Sequence, residues 1–163
     1  MNIRALIITF LVVILVASSA EAQAERSKPV VPNLTFTALD GTKWSLGANR
    51  GRVVVLNFWA TWCEPCRTEV PYLVKIADEF GKPGVNVVGV SLDEPGSEIV
   101  KKFAAEYKIN YPILFPEPDS PFSKIDNLPM TLLIDREGRL ANKYTGAVPE
   151  KVLRADIGEL LGN

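Results

Sequence analysis

The hydrophobic and polar positions along the chain change period several times, and each change marks an element. Leu34-Thr35-Phe36-Thr37-Ala38-Leu39 alternates apolar and polar with period two, which predicts a strand. Asp40-Gly41 is a hairpin-turn dipeptide, and Thr42 to Leu46 reads as the returning strand. Residues 47–51 read as a loop. Arg52 to Trp59 is β-branched and aromatic without a clean alternation, as in a strand buried on both faces of a parallel or mixed sheet. Beyond Cys66, the residues Val70, Leu73, Val74, Ile76, Ala77 and Phe80 form a broad apolar stripe, which predicts a helix ended by Gly81.

Val85 to Val90 reads as a second buried strand, and Ser97 to Lys108 as an amphipathic helix with Ile99, Val100, Phe103, Ala104 and Tyr107 on one side. Tyr111 to Phe115 gives a third such strand. From Pro116 to Asn127 the prolines at 116, 118 and 121 allow at most one helical turn. Met130 to Ile134 and Leu140 to Thr145 form a hairpin around Arg136–Arg139, and Pro149 to Leu161 a closing helix with proline near its start. The order ββ, βαβαβ, ββα predicts one α/β domain over residues 34–163, a mixed central sheet with helices on both faces.

The first residues follow a different logic. Met1 to Arg4 carries a positive charge, and Ala5 to Ala17 is apolar apart from Thr9. Ala20-Glu21-Ala22 and Ala22-Gln23-Ala24 both fit a small-x-small cleavage site. Residues 1–22 therefore read as a secretory signal peptide, with an uncleaved anchor as the alternative, although the run is short for a membrane span. Residues 23–33, polar and punctuated by proline, read as a leading arm. An exported, periplasmic or extracytoplasmic protein is expected.

Charge and composition then narrow the chemistry. The chain of 163 residues carries 18 Lys+Arg and 19 Asp+Glu, a net charge of −1, which gives no footprint for nucleic acid. It has no histidine, so the commonest general base and metal ligand are missing. Its two cysteines stand only three positions apart, and a bridge closing so small a loop constrains the unfolded chain little. A chemical role suits them better than a stapling one.

Cys63 and Cys66 fall where the strand gives way to the helix, at a spacing that puts both sulfurs on one face of the first turn. Unpaired N–H groups there stabilise a thiolate, so Cys63 is expected as the exposed nucleophile and Cys66, one turn in, as the resolving thiol. Pro65 is tolerated in a first turn, and Glu64, between the cysteines, opposes thiolate formation at Cys63 in part. Glu69, three residues beyond Cys66, could handle the resolving thiol's proton, or be a surface glutamate. Trp59 reads as core, and Trp62 as part of a substrate-facing surface.

The run Val54-Val55-Leu56-Asn57-Phe58-Trp59-Ala60-Thr61-Trp62-Cys63-Glu64-Pro65-Cys66-Arg67-Thr68-Glu69-Val70-Pro71 resembles the exported TlpA/ResA branch of the thioredoxin superfamily. The Leu34–Leu46 hairpin resembles that branch's N-terminal extension. Leu128-Pro129, with Thr131-Leu132-Leu133-Ile134-Asp135 and Gly138, resembles its cis-proline strand and turn. The resemblance implies a thioredoxin-like fold without a cofactor. It also implies a cis Pro129 facing the cysteines, with Leu128 offering backbone groups to an extended substrate segment. As partners it implies disulfide-containing exported proteins, apocytochrome c among them and hence cytochrome c biogenesis, and a membrane thiol donor of the CcdA/DsbD type. Three departures stand out. Asn57 replaces the buried aspartate of cytoplasmic thioredoxins and shifts proton handling toward Glu69, Met130 replaces a threonine in the substrate groove, and residues 119–128 are short for the usual helix.

Within this chemistry, a dithiol oxidase or isomerase is the alternative to a reductase. A peroxidase of peroxiredoxin type would want threonine where the chain has Ala60. A copper chaperone would rest on two thiolates alone, since a tetrahedral site wants four ligands.

Overall fold

A computed structural model of the chain describes residues 28–82 and 84–162, so the expected leader and residues 23–27 of the arm lie outside the described residues. The first hairpin forms as its turn chemistry dictates. Gly41 takes φ +86°, and Asp40 Oδ1 accepts from the Thr42 N–H and hydroxyl at 3.0 and 2.7 Å. This joins β1 (Thr35–Ala38) to β2 (Lys43–Ser45), and a short 3-10 turn follows at Gly47–Asn49. The remaining elements are β3 (Val53–Trp59), α1 (Glu64–Phe80), β4 (Val85–Ser91), α2 (Glu98–Glu106), β5 (Ile113–Pro116), β6 (Met130–Ile134), β7 (Leu140–Thr145) and α3 (Glu150–Leu161).

They build a seven-stranded mixed sheet in the order β2-β1-β5-β4-β3-β6-β7. β3, β4 and β5 run parallel, and β1, β2, β6 and β7 complete the sheet by antiparallel pairing. Every residue of β3 is buried, as its unbroken apolar run requires. Its side chains still alternate. Val53, Val55 and Trp59 pack with α1, α2 and α3, while Val54, Leu56 and Phe58 face the other way.

The expected cover of helices on both faces is corrected here. Both crossovers, β3–α1–β4 and β4–α2–β5, step the same way along the sheet, so right-handed connections put both helices on one face. α3 packs there too, through Leu153 and Ile157. Segments without helix cover the opposite face, among them Val31, Leu34, Phe122, Ile125 and Leu128. Phe122 stacks on Phe58 at 5.1 Å and lies 6.4 Å from Phe36. Fully burying a Phe side chain contributes about 1.5–3 kcal/mol, so half-buried Phe122 adds about 1–2 kcal/mol and helps the proline-broken segment hold its face without a helix.

The arm is also more than a tether. Val30 bridges Arg139, the Val31 N–H donates to the Gly138 carbonyl at 2.9 Å, and Leu140 N–H to the Pro29 carbonyl at 2.9 Å. Residues 29–31 thus pair alongside the β6–β7 hairpin.

Candidate active site

The central strand β3 ends at Trp59, and the chain turns through Ala60–Trp62 into α1. This turn is clamped from the segment just beyond β4. Asp93 accepts from the Thr61 N–H at 2.9 Å, the Thr61 hydroxyl at 2.7 Å and the Ser91 hydroxyl at 2.8 Å. Cys63 follows as the N-cap of α1, in extended conformation, and its sulfur accepts from the Cys66 N–H at 3.3 Å. Glu64 and Pro65 open the helix, where the missing proline N–H would have no intrahelical partner.

Cys63 and Cys66 form a disulfide with Cα atoms 5.3 Å apart. Cys63 is expected as the exposed sulfur. In this oxidised form both residues are buried, 5% exposed for Cys63 and 1% for Cys66, with the small difference in the expected sense. Trp62 beside them is 71% exposed, whereas Trp59 is fully buried and stacks on Phe103 at 4.9 Å. Phe103 stacks in turn on Tyr107 at 4.3 Å. The Arg67 guanidinium lies 5.8 Å from each of these two rings and donates through Nε to the Tyr107 hydroxyl at 3.2 Å. α2 is thereby braced against the residue that follows Cys66.

One turn along α1 from Cys66 lies a buried polar network. Glu69, 2% exposed, sits on the α1 side of β3, where its Oε2 accepts from the Asn57 amide at 3.1 Å and its Oε1 from the Val148 N–H at 2.7 Å. The Tyr72 hydroxyl lies 2.9 Å from Oε1, and Asn57 also donates to the Thr131 hydroxyl at 2.9 Å. Gly89, which pairs with Asn57 across β4, can carry no side chain. A Cβ there would stand 2.7 Å from the Trp59 indole nitrogen and 3.1 Å from the Tyr111 ring. Burial pushes the Glu69 carboxyl above the ordinary range, against the pull of its hydrogen-bond donors toward the charged form. Burial, then the neighbouring Glu69 carboxyl, raise the proton affinity of Tyr72 as well, so its hydroxyl stays protonated.

The Leu128–Pro129 bond is cis. β6 pairs Met130 with Phe58, which sets Pro129 beside the end of β3 where the cysteine turn begins. Leu128 packs against the cluster that holds Cys63 and Cys66. The Pro129 carbonyl accepts from the Gly146 N–H at 2.8 Å, whereas the backbone N–H and C=O of Leu128 make no hydrogen bond among the described residues. Met130 does not join this surface. It is 8% exposed and packs in the cluster on the face away from α1, because the strand's alternation turns it from the side that carries Thr131. Of the residues expected from the sequence, Asn57 and Glu69 meet in the buried network and Cys63 and Cys66 in the bridge, whereas Asp93, Tyr72, Thr131 and Val148 enter only through the structure. Of these, only Tyr72 gives a signal, as a polar-tipped residue three positions beyond Glu69 on the same helix.

A bridge across two intervening residues does little to hold a domain of this size together. What it can do, at a helix N-terminus next to an exposed aromatic surface, is open and close. Fold and site together define a thiol–disulfide oxidoreductase of thioredoxin type, an enzyme whose substrates carry disulfides. The AhpC/TSA family matches residues 29–157. The chain is 33% identical over 128 residues to the thiol-disulfide oxidoreductase ResA of Geobacillus thermodenitrificans, covering 77% of this chain and 73% of that protein. A crystal structure of a thiol:disulfide interchange protein DsbE from Chlorobium tepidum superposes with a TM-score of 0.73 at 29% identity, covering 83% of this chain and 97% of that one. A secreted thiol-disulfide isomerase from Corynebacterium glutamicum gives 0.72 at 26% identity, covering 82% and 86%. The chain belongs to the AhpC/TSA family of the thioredoxin superfamily, among relatives of the ResA kind.

Proposed function

We propose that the protein is an exported reductase that keeps the disulfides of other exported proteins open. The observation that carries this reading is the Cys63–Cys66 disulfide capping α1, its first sulfur already accepting from the helix N-terminal N–H of Cys66. Those N–H groups would stabilise a Cys63 thiolate after reduction. Cys63 then attacks a substrate disulfide, forming a mixed disulfide and releasing one substrate thiolate. Cys66 attacks Cys63 in turn, which frees the second substrate thiol and restores the internal bridge. Glu64 and Pro65 tune the pair, and Glu69 supplies or takes the proton of Cys66 from its buried position. Trp62 and the free backbone groups of Leu128, beside Pro129, offer a surface on which an extended substrate segment adds as a short strand.

Export rests on the charged and apolar leader of residues 1–22. No helix among the described residues is long and apolar enough to cross a membrane. Electrons reach the pair from a membrane thiol donor of the CcdA/DsbD type and leave to substrates such as apocytochrome c, a role in cytochrome c biogenesis. The isomerase among the solved structures favours a second reading, in which the same pair makes or reshuffles disulfides. The reduction potential separates them. A redox titration of the pair, followed by the fluorescence of Trp59 and Trp62, is expected to give a value near the thioredoxin end of the range, about −270 mV. A value near the strong oxidants, about −120 mV, reverses the electron flow and makes disulfide formation the function.

A further inference from the structure

The Tyr72 hydroxyl has one proton and two oxygen neighbours, Glu69 Oε1 at 2.9 Å and the Val148 carbonyl at 2.6 Å. The shorter distance is that of an O–H···O hydrogen bond, and two oxygens without a proton between them would repel at that separation. Tyr72 therefore gives its proton to Val148. Its contact with Glu69 then also needs a proton, and the only other source is the carboxyl itself.

We propose that Tyr72 is a positioning residue that holds Glu69 in its neutral form through a closed ring. Glu69 Oε1–H donates to the Tyr72 oxygen, Tyr72 O–H donates to the Val148 carbonyl, and the Val148 N–H donates back to Oε1. Asn57 completes the set on Oε2. In this arrangement each polar group of the ring is satisfied, as a buried network requires. With Glu69 ionised, one close oxygen–oxygen contact has no proton. The titratable groups facing the ring are Tyr72 on α1, Tyr111 from the segment before β5, and Glu150 at the start of α3, which acts on Tyr72. None of these three is a cation that would draw Glu69 toward the carboxylate. The ring also reaches the substrate surface, because Gly146, two residues before Val148, donates to the Pro129 carbonyl.

The inference rests on the reading of Cys63–Cys66 as a redox pair for its purpose, a proton kept beside the resolving cysteine, but not for its test. The 13C carboxyl resonance of Glu69, assigned by its loss in Glu69→Gln, is followed against pH in the oxidised wild type and in Tyr72→Phe. Removing the hydroxyl takes away the acceptor of the acid proton, so the Glu69 titration is expected to move to lower pH in the variant. A shift to higher pH means that Tyr72 donates to a carboxylate, and no shift means that it holds no proton there; either overturns the proposal. Should Tyr72→Phe fail to fold, the infrared band of a protonated carboxyl decides the matter in the wild type. The band is expected to persist, and to vanish in Glu69→Gln, at a pH where exposed carboxylates have ionised; its absence from the wild type overturns the ring. These signals are read without substrate, so they stand whether or not the enzyme reduces protein disulfides, which a turnover assay decides separately.

Discussion

Asp93 lies about thirty residues beyond the cysteines, yet it holds the turn that presents them. Its carboxylate accepts three hydrogen bonds, from the Thr61 N–H, the Thr61 hydroxyl and the Ser91 hydroxyl, all between 2.7 and 2.9 Å. Thr61 is 6% exposed, so Asp93→Ala leaves a buried N–H and a buried hydroxyl without their acceptor. A hydrogen bond to a charged group is worth about 1.5–3 kcal/mol, but a simple sum over three would overshoot, because Asp93 is half-buried and water can reach part of the gap. A net loss of about 2–3 kcal/mol follows, which for a domain of this size lowers Tm by roughly 6–12 °C. The assay is thermal unfolding of the oxidised protein by circular dichroism. A double-mutant cycle with Thr61→Val isolates the hydroxyl–carboxylate bond and should show a coupling of about 1 kcal/mol. The looser turn should also speed attack of dithiothreitol on the disulfide. If Asp93→Ala lies within about 0.5 kcal/mol of wild type, or the two substitutions simply add, the clamp is not energetically real and this reasoning fails.

The raised proton affinity of Glu69 makes stability depend on pH in a defined sense. Between the ordinary Glu value, about 4.3, and its raised folded value the native state binds more protons than the unfolded chain. The contribution is therefore complete below the ordinary value and is lost as pH rises through the folded one. Denaturant titrations across pH should show this falling limb in wild type and its loss in Glu69→Gln. Trp62 is 71% exposed, so Trp62→Ala should leave stability within about 0.5 kcal/mol while slowing the reduction of a protein disulfide, and an unchanged rate would remove Trp62 from the substrate surface.

Local chemistry makes much of this molecule legible in its sequence. The Asp40-Gly41 turn, the continuous apolar run of β3 and the stripe from Val70 to Phe80 each encode their element in residues close in sequence. So does the placing of two cysteines at a strand-to-helix junction. What the sequence did not reveal depends on which side of the sheet each crossover takes and on contacts between distant residues. β5 turned out to lie beside β4, carrying α2 to the same face as α1, and the segment with Pro116, Pro118 and Pro121 covers the other face through Phe122. Met130 reads as a groove residue until the register with Phe58 fixes its face. Asp93 and Val148 act on Thr61 and Glu69 across 32 and 79 positions, and no local pattern marks such partners.

The central claim is that Cys63 attacks and Cys66 resolves. Its most direct test presents a disulfide-linked protein to reduced wild type, Cys66→Ser and Cys63→Ser, and examines the products on non-reducing gels. Wild type should reduce the substrate and end with its own bridge closed, Cys66→Ser should accumulate a stable mixed disulfide through Cys63, and Cys63→Ser should form none. A mixed disulfide that accumulates in Cys63→Ser instead would reverse the two roles, and a wild type that exchanges no disulfide would contradict the claim itself.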